Sequence, residues 1–329
     1  MPDLDAHEAT DVFSSIRTSC ARVAELANSV RIRQDRVHGY ARDLLDTHTH
    51  LPALDLATHF VGSVEETVAF FVSLDAINFG SGYFPHLTKR EGLSGYFTIA
   101  SGLSDHFRAK GVILAPQLAT ATPECCAAIF SQSLDHPAIR ELMSAFAQAW
   151  NDLGNDLLER FDGSFTQLIE SANHSAAQLV TTLANQPLFH DVANYQDFEV
   201  LLYKRSQLLA SDLALALPNA ELGRFDDLDR LTIFADNLVP HVLRLDGILE
   251  YDSGLLDRID REELIPSGSP EEIEIRACSI AAVEAVRTAA KAEGMQFTSR
   301  DLDQILWHRG QDPAYKRTAK RHRTRSVFY

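Results

Sequence analysis

From Pro137 onward, Ile139, Leu142, Met143, Phe146, Trp150, Leu153 and Leu157 recur at intervals of three and four residues. In an α-helix that spacing puts all seven side chains on one stripe, whereas a strand alternates its faces every residue. A stripe this long needs an apolar partner, and the chain offers a series of further helices. Ser63 with Glu66, and Ser164 with Gln167, are capping-box pairs. Ser269, Pro270 and Glu272 combine a cap, a first-turn proline and a capping glutamate. Gly111 is a helix stop. These signals and apolar periodicity predict helices over 12–30, 63–75, 93–110, from Pro123, from Pro137, over 164–183, 198–217 and 226–250, from Ser269, and over 298–307. The helices at 137 and 164 read as a hairpin. Alternation is confined to 30–44, where one or two short strands are expected, and 112–118 reads as extended. The predicted fold is mainly α, a single domain over 1–329 with a few short strands near the N-terminus and a loose acidic start over 1–12.

Net charge is −16 and 45% of the side chains are hydrophobic, a composition with enough apolar material for a sizeable core. No apolar run is long enough for a membrane helix, and the acidic start lacks the apolar centre of a signal peptide. Cys20, Cys125, Cys126 and Cys278 form no C-x-x-C pair, so the expectation is a reducing cytoplasm. No internal repeat or linker is present, and neither is a Gly-rich phosphate loop or a G-x-S-x-G elbow. Charge reverses only at the end, where Lys316, Arg317, Lys320, Arg321, Arg323 and Arg325 follow the last acid, Asp312. Duplex nucleic acid calls for a broad basic face. A local cluster suits one phosphate or small anion, or else is a solvated, partly disordered end.

Four stretches are candidates for chemistry. In LTIFADNLVPHVLR (231–244), Asp236 is the only acid within an apolar run. Leu228, Leu231, Ala235, Leu238 and Val242 predict a helix that Pro240 would kink by freeing the carbonyl of Asp236. Asp236 is then either a functional carboxylate or a bend residue facing water. Lys204, Leu208 and Asp212 share one helix face, flanking a site or forming a surface charge pair. The run from Asp75 through Asn78 and Phe79 to Gly82 ends a helix in small residues that either admit a ligand or simply make the turn. In DTHTH, His48-x-His50 has metal-ligand spacing, but no strand–helix series follows as a metal-dependent barrel would need, so a polar loop is expected.

Taken in order, His59, LDAINFGSG (74–82), LSGYF (93–97), ERFDGSF (159–165), YKRSQLLASDL (203–213), IFADN (233–237), EIEIRACSI (272–280), LWHRGQ (306–311) and HRTRSVFY (322–329) resemble the queuosine salvage proteins, the queuosine 5′-phosphate N-glycosylases. The likeness runs from about residue 12 to the end. It implies a helical fold related to DNA glycosylases, hydrolysis of queuosine 5′-monophosphate to free queuine for reuse in tRNA, and no cofactor. Carried over by position, the resemblance makes Asp236 the catalytic carboxylate and Phe234 a wall of the base pocket. It sets His59, Asn78, Phe79, Trp307 and Asp312 around the base, with His308 where many members carry another polar residue. Lys204, His322, Arg323 and Arg325 would face the ribose phosphate, with Asp75 and Asp212 near the substrate.

The chemistry suits those residues. Breaking an N-glycosidic bond builds positive charge on the ribose, and a fixed carboxylate stabilises it and orients water. Queuine has carbon in place of N7, so protonation there cannot help the base leave. More of the barrier must be lowered at the sugar. Two rival readings remain: a metal-dependent hydrolase using His48 and His50, and a non-catalytic nucleic-acid-binding module on a glycosylase-like fold, against which the acidic body argues.

Overall fold

The computed structural model describes residues 11–47 and 53–329. Most of the expected loose start, and both His48 and His50, lie outside the described residues.

The helices are α1 (Val12–Leu26), α2 (Gln34–Thr47), α3 (Val64–Asp75), α4 (Gly95–Lys110), α5 (Ala115–Leu118), α6 (Pro123–Phe130), α7 (Pro137–Arg160), α8 (Phe165–Glu170), α9 (Ala176–Leu183), α10 (Lys204–Ala216), α11 (Val239–Leu245), α12 (Ser253–Asp260), α13 (Pro270–Ala292), α14 (Ser299–Arg309) and α15 (Pro313–Thr318). Among the described residues there are also two small antiparallel sheets. In one, β1 (Val30–Ile32) pairs with β4 (Leu249–Tyr251), Arg31 opposite Glu250. In the other, β2 (Val192–Tyr195) turns through Gln196, at φ 52°, into β3 (Phe198–Leu201). Among the described residues no helix is long and apolar enough to cross a membrane.

Local chemistry starts and stops many of these helices. The Ser63 and Glu66 capping box opens α3, Ser269 and Pro270 open α13, and Gly111 closes α4 at φ 82°. The stripe of α7 is buried as its period requires, from Ile139 to Leu157. Helix α13 is buried on nearly every side. It packs on α1, α2, α11 and α14, while α3 packs on α10, and one contiguous apolar core links them.

Several expected elements differ, each for a non-local reason. The helix predicted over 198–217 begins as β3, and α10 starts only at Lys204, after Tyr203 in a left-handed conformation. The 164–183 helix is two, because Asn173 and His174 both have positive φ and the chain turns to meet Asp227, which caps α9. Residues 30–44 contain one strand, followed by α2, and 112–118 ends in the short helix α5. The 226–250 helix is absent: residues 231–238 are irregular and α11 spans only seven residues. Pro240 does not kink a helix. It sits in the first turn of α11, where its missing N–H has no carbonyl to meet.

Candidate active site

The buried, non-helical stretch 231–237 needs partners for its backbone, and distant side chains provide them. Gln207 Oε1 accepts from Thr232 N at 2.9 Å, Asp303 Oδ1 accepts from Phe234 N at 2.9 Å, and Arg276 Nε donates to Ala235 O at 3.0 Å. Arg276 is itself held by Asp191 through two hydrogen bonds of 2.9 and 2.7 Å. Three helices therefore fix the strip that carries Asp236. Asp236 Oδ1 accepts from Leu238 N at 2.7 Å and Val239 N at 3.1 Å, at the start of α11. Its Oδ2 takes no hydrogen bond among the described residues, and the half-buried side chain lines a cavity of about 1060 Å³.

Lys204 enters the same cavity from the first turn of α10, its backbone N–H anchored on Asp191 Oδ2 at 3.1 Å. Its Nζ donates to Asn78 O at 3.0 Å and Asn78 Oδ1 at 3.1 Å. An ammonium has three donors, so one remains for the cavity. Burial holds the Lys204 pKa below its ordinary value, opposed by the charges of Asp236 and Asp75. Asn78 Nδ2 donates to Asp75 Oδ1 at 3.1 Å, and Asp75 Oδ2 is buried without a partner. Asp75 lies beneath the cavity wall, while Asp212 lines it. Burial pushes Asp75 up to about 7, and burial together with Asp75 raises Asp212 well above the carboxylate range.

An aromatic end faces these charges. His59, Phe79, Tyr96, Phe97, Phe234 and Trp307 line the cavity. Trp307 meets Tyr96 and Phe97 edge-on at 5.8 and 5.6 Å. His59 Nδ1 lies 2.9 Å from Asp55 O, an acceptor only, so Nδ1 carries the proton and Nε2 accepts from Tyr96 OH at 2.8 Å. Burial lowers the His59 pKa, consistent with a neutral ring. His308 also lines the cavity, at its exposed edge.

The basic end is folded rather than loose, although Lys316, Arg317 and Lys320 stay exposed to solvent. After α15 the chain folds back over the cavity, with His322, Thr324, Ser326 and Tyr329 buried. Ile265 N donates to Arg323 O at 2.8 Å and Gly80 N to Tyr329 O at 3.0 Å. The small residue Gly82 serves this segment rather than a ligand, since a Cβ there would collide with the Thr324 carbonyl.

Four residues expected at the substrate do not line the cavity. His322 is buried away from the cavity, its pKa pushed down to about 3 by burial and by neighbouring cations. Arg325 is taken up by Glu141 at 3.1 Å and stacks over Tyr83 at 5.1 Å. Asp312 points its carboxylate back to cap α15, accepting from Ala314 N at 2.7 Å. Asp75 is one layer behind the wall. Arg323 does line the cavity, although its Nη2 donates to the Glu262 carbonyl.

Sequence reasoning missed Tyr96, Phe97 and Asp303, and named Arg321 only as one member of the terminal basic cluster. Tyr96 and Phe97 lie inside the LSGYF stretch, and Asp303 is one turn before Trp307 on α14, so i, i+4 spacing would have found it. Asp303 is buried beside Asp236. Burial first, then the Asp236 charge, raises its pKa to about 7 against the Phe234 N–H and Lys204. Arg321 directly precedes the closing HRTR run, and only its fold-back brings it within Coulombic reach of Asp236.

A family model described as queuosine salvage protein matches residues 58–329. A protein of Sphaerobacter thermophilus named queuosine 5′-phosphate N-glycosylase/hydrolase is 38% identical over 321 residues, covering 95% of this chain and 97% of its own. A Dictyostelium discoideum protein of the same name is 29% identical over 329 residues, covering 95% and 98%. One from Mus musculus, again so named, is 32% identical over 199 residues, covering 57% and 58%.

Proposed function

The chain belongs to the queuosine salvage protein family, and from that premise we propose that it hydrolyses the N-glycosidic bond of queuosine 5′-monophosphate and releases queuine. The observation that carries this reading is the Asp236 carboxylate. One oxygen is pinned by two backbone N–H groups, the other is free, and the cavity around it suits a nucleotide in size and lining.

In this reading the ribose sits with C1′ over the free oxygen of Asp236. As the C1′–N9 bond breaks, its electron pair leaves with the base and C1′ becomes cationic. Asp236 stabilises that cation where it forms. A water oxygen then bonds to C1′ from the open side and its proton passes, directly or through solvent, to the departing base. Lys204, fixed by Asn78, keeps its third N–H for the substrate side and feels the charges of Asp236, Asp75 and Asp303. Phe79, Phe234 and Trp307 provide flat apolar walls for the base, and His59, oriented by Tyr96, its polar contact. Asp236 and Lys204 are thus the proposed catalytic pair, with His59, Asn78, Phe79, Phe234, Trp307 and His308 around the base.

The test is incubation of the purified protein with queuosine 5′-monophosphate, with chromatography for free queuine. Stoichiometric release of base and ribose 5-phosphate is expected. Intact nucleotide after long incubation with wild-type protein would overturn the proposal and leave a binding role.

A further inference from the structure

We propose that Arg321, assisted by Lys316 and Lys89, binds the 5′-phosphate at the mouth of the cavity, an assignment that rests on the nucleotide reading above. Several cations in and around the cavity are already engaged. Lys204 donates twice to Asn78, Lys320 pairs with Glu262 at 3.0 Å, Arg323 donates to the Glu262 carbonyl, and Arg325 pairs with Glu141. Four cavity-lining cations remain: Lys89, Lys316, Arg317 and Arg321. Among the described residues, none of these four side chains makes a hydrogen bond or ion pair, in a chain whose net charge is −16.

Arg321 differs from the other three in being half-buried and closest to the reacting end of the cavity. A half-buried guanidinium with no acceptor has lost solvation without recovering it. Its guanidinium does feel Asp236, and a single ribose separates C1′ from the 5′-phosphate. A substrate with C1′ over Asp236 therefore has its phosphate within reach of Arg321. Lys316 is crowded as well. Burial, then repulsion from Arg321 and Lys89, lowers its pKa, with Asp312 the opposing charge. Cations gathered against their mutual repulsion around open space are the complement of a dianion. The guanidinium fork takes two phosphate oxygens at once, and the lysines add mobile point charges.

The experiment compares kcat/KM for queuosine 5′-monophosphate and for the bare nucleoside in the full chain and in Arg321→Ala, Arg321→Gln and Lys316→Ala. Thermal melts report on folding. One lost charge-assisted contact should lower the nucleotide-to-nucleoside ratio about tenfold or more in either Arg321 variant, with a smaller, salt-sensitive loss for Lys316→Ala. Competitive inhibition by inorganic phosphate should weaken by a similar factor. If Arg321→Gln lowers both substrates equally, Arg321 acts through Asp236 rather than on phosphate, and the assignment falls. An unaltered ratio also overturns it. Failure of wild-type protein to cleave either substrate is a different result, which defeats the glycosidase reading. Calorimetric phosphate binding, compared between wild type and Arg321→Gln, then still decides the anion site.

Discussion

Asp236→Asn separates charge from geometry at the proposed centre. The amide keeps an oxygen that can accept from Leu238 N and Val239 N, so the start of α11 should hold its shape. What disappears is the negative charge facing C1′. A unit charge about 4 Å from a developing cation, at an effective dielectric near 20, contributes on the order of 4 kcal/mol. At about 1.4 kcal/mol per tenfold, that predicts a loss near 10³-fold in the chemical step. Loss of a single preorganised group at other active sites gives roughly 10²–10³-fold, in the same range. The assay is single-turnover release of queuine with enzyme in excess, so that product release cannot mask the chemistry. Thermal melting of the Asp236→Asn variant should lie close to wild type. Asp236→Ala also leaves two N–H groups without their acceptor, and should melt lower by an amount corresponding to about 1–3 kcal/mol. Base release by Asp236→Asn within tenfold of wild type, in a protein that melts normally, would refute the carboxylate's role.

Tyr96→Phe removes the O–H that orients His59 Nε2. It should raise KM about three- to tenfold with a smaller change in kcat, and an unchanged KM would remove His59 from the base pocket. Burial holds His241 down to about 4, with its ring bonded to Tyr315 O at 3.0 Å. Because that folded value lies below the unfolded one, the contribution of His241 to stability is present above about pH 6.5 and is lost as pH falls toward 4. His241→Gln should therefore flatten the fall of Tm across this window; an identical slope in the variant would place the acid-sensitive group elsewhere. Since the proposed reaction runs on Asp236 and water, dialysis against a chelator should leave the rate unchanged. A rate that falls and is restored by zinc or manganese would revive the reading that uses His48 and His50.

The helix starts and stops were legible because their chemistry is local. Ser63 meets Glu66 three residues on, Ser269 precedes Pro270, and Gly111 adopts a backbone angle that other residues resist. The period of Ile139 to Leu157 likewise contains its own reason to be a helix. With the family likeness added, the sequence also indicated Asp236, Lys204, Asn78 and Trp307, which the fold brings to one cavity. The conformation around Asp236 was not legible. A helical period runs through 231–238, yet the strip stays irregular because Gln207, Asp303 and Arg276, between 25 and 69 residues away, supply the hydrogen bonds a helix would have made for itself. The closing basic run followed the same logic. Local charge density pointed equally to a loose end or an anion site, and the partners that decide it, Glu141 for Arg325 and Glu262 for Lys320, belong to other parts of the chain. Capping and periodicity act over one or two turns of helix and can be read in a line of residues. The fate of a buried polar group depends on which distant partner packing brings within about 3 Å, and only the tertiary structure decides that.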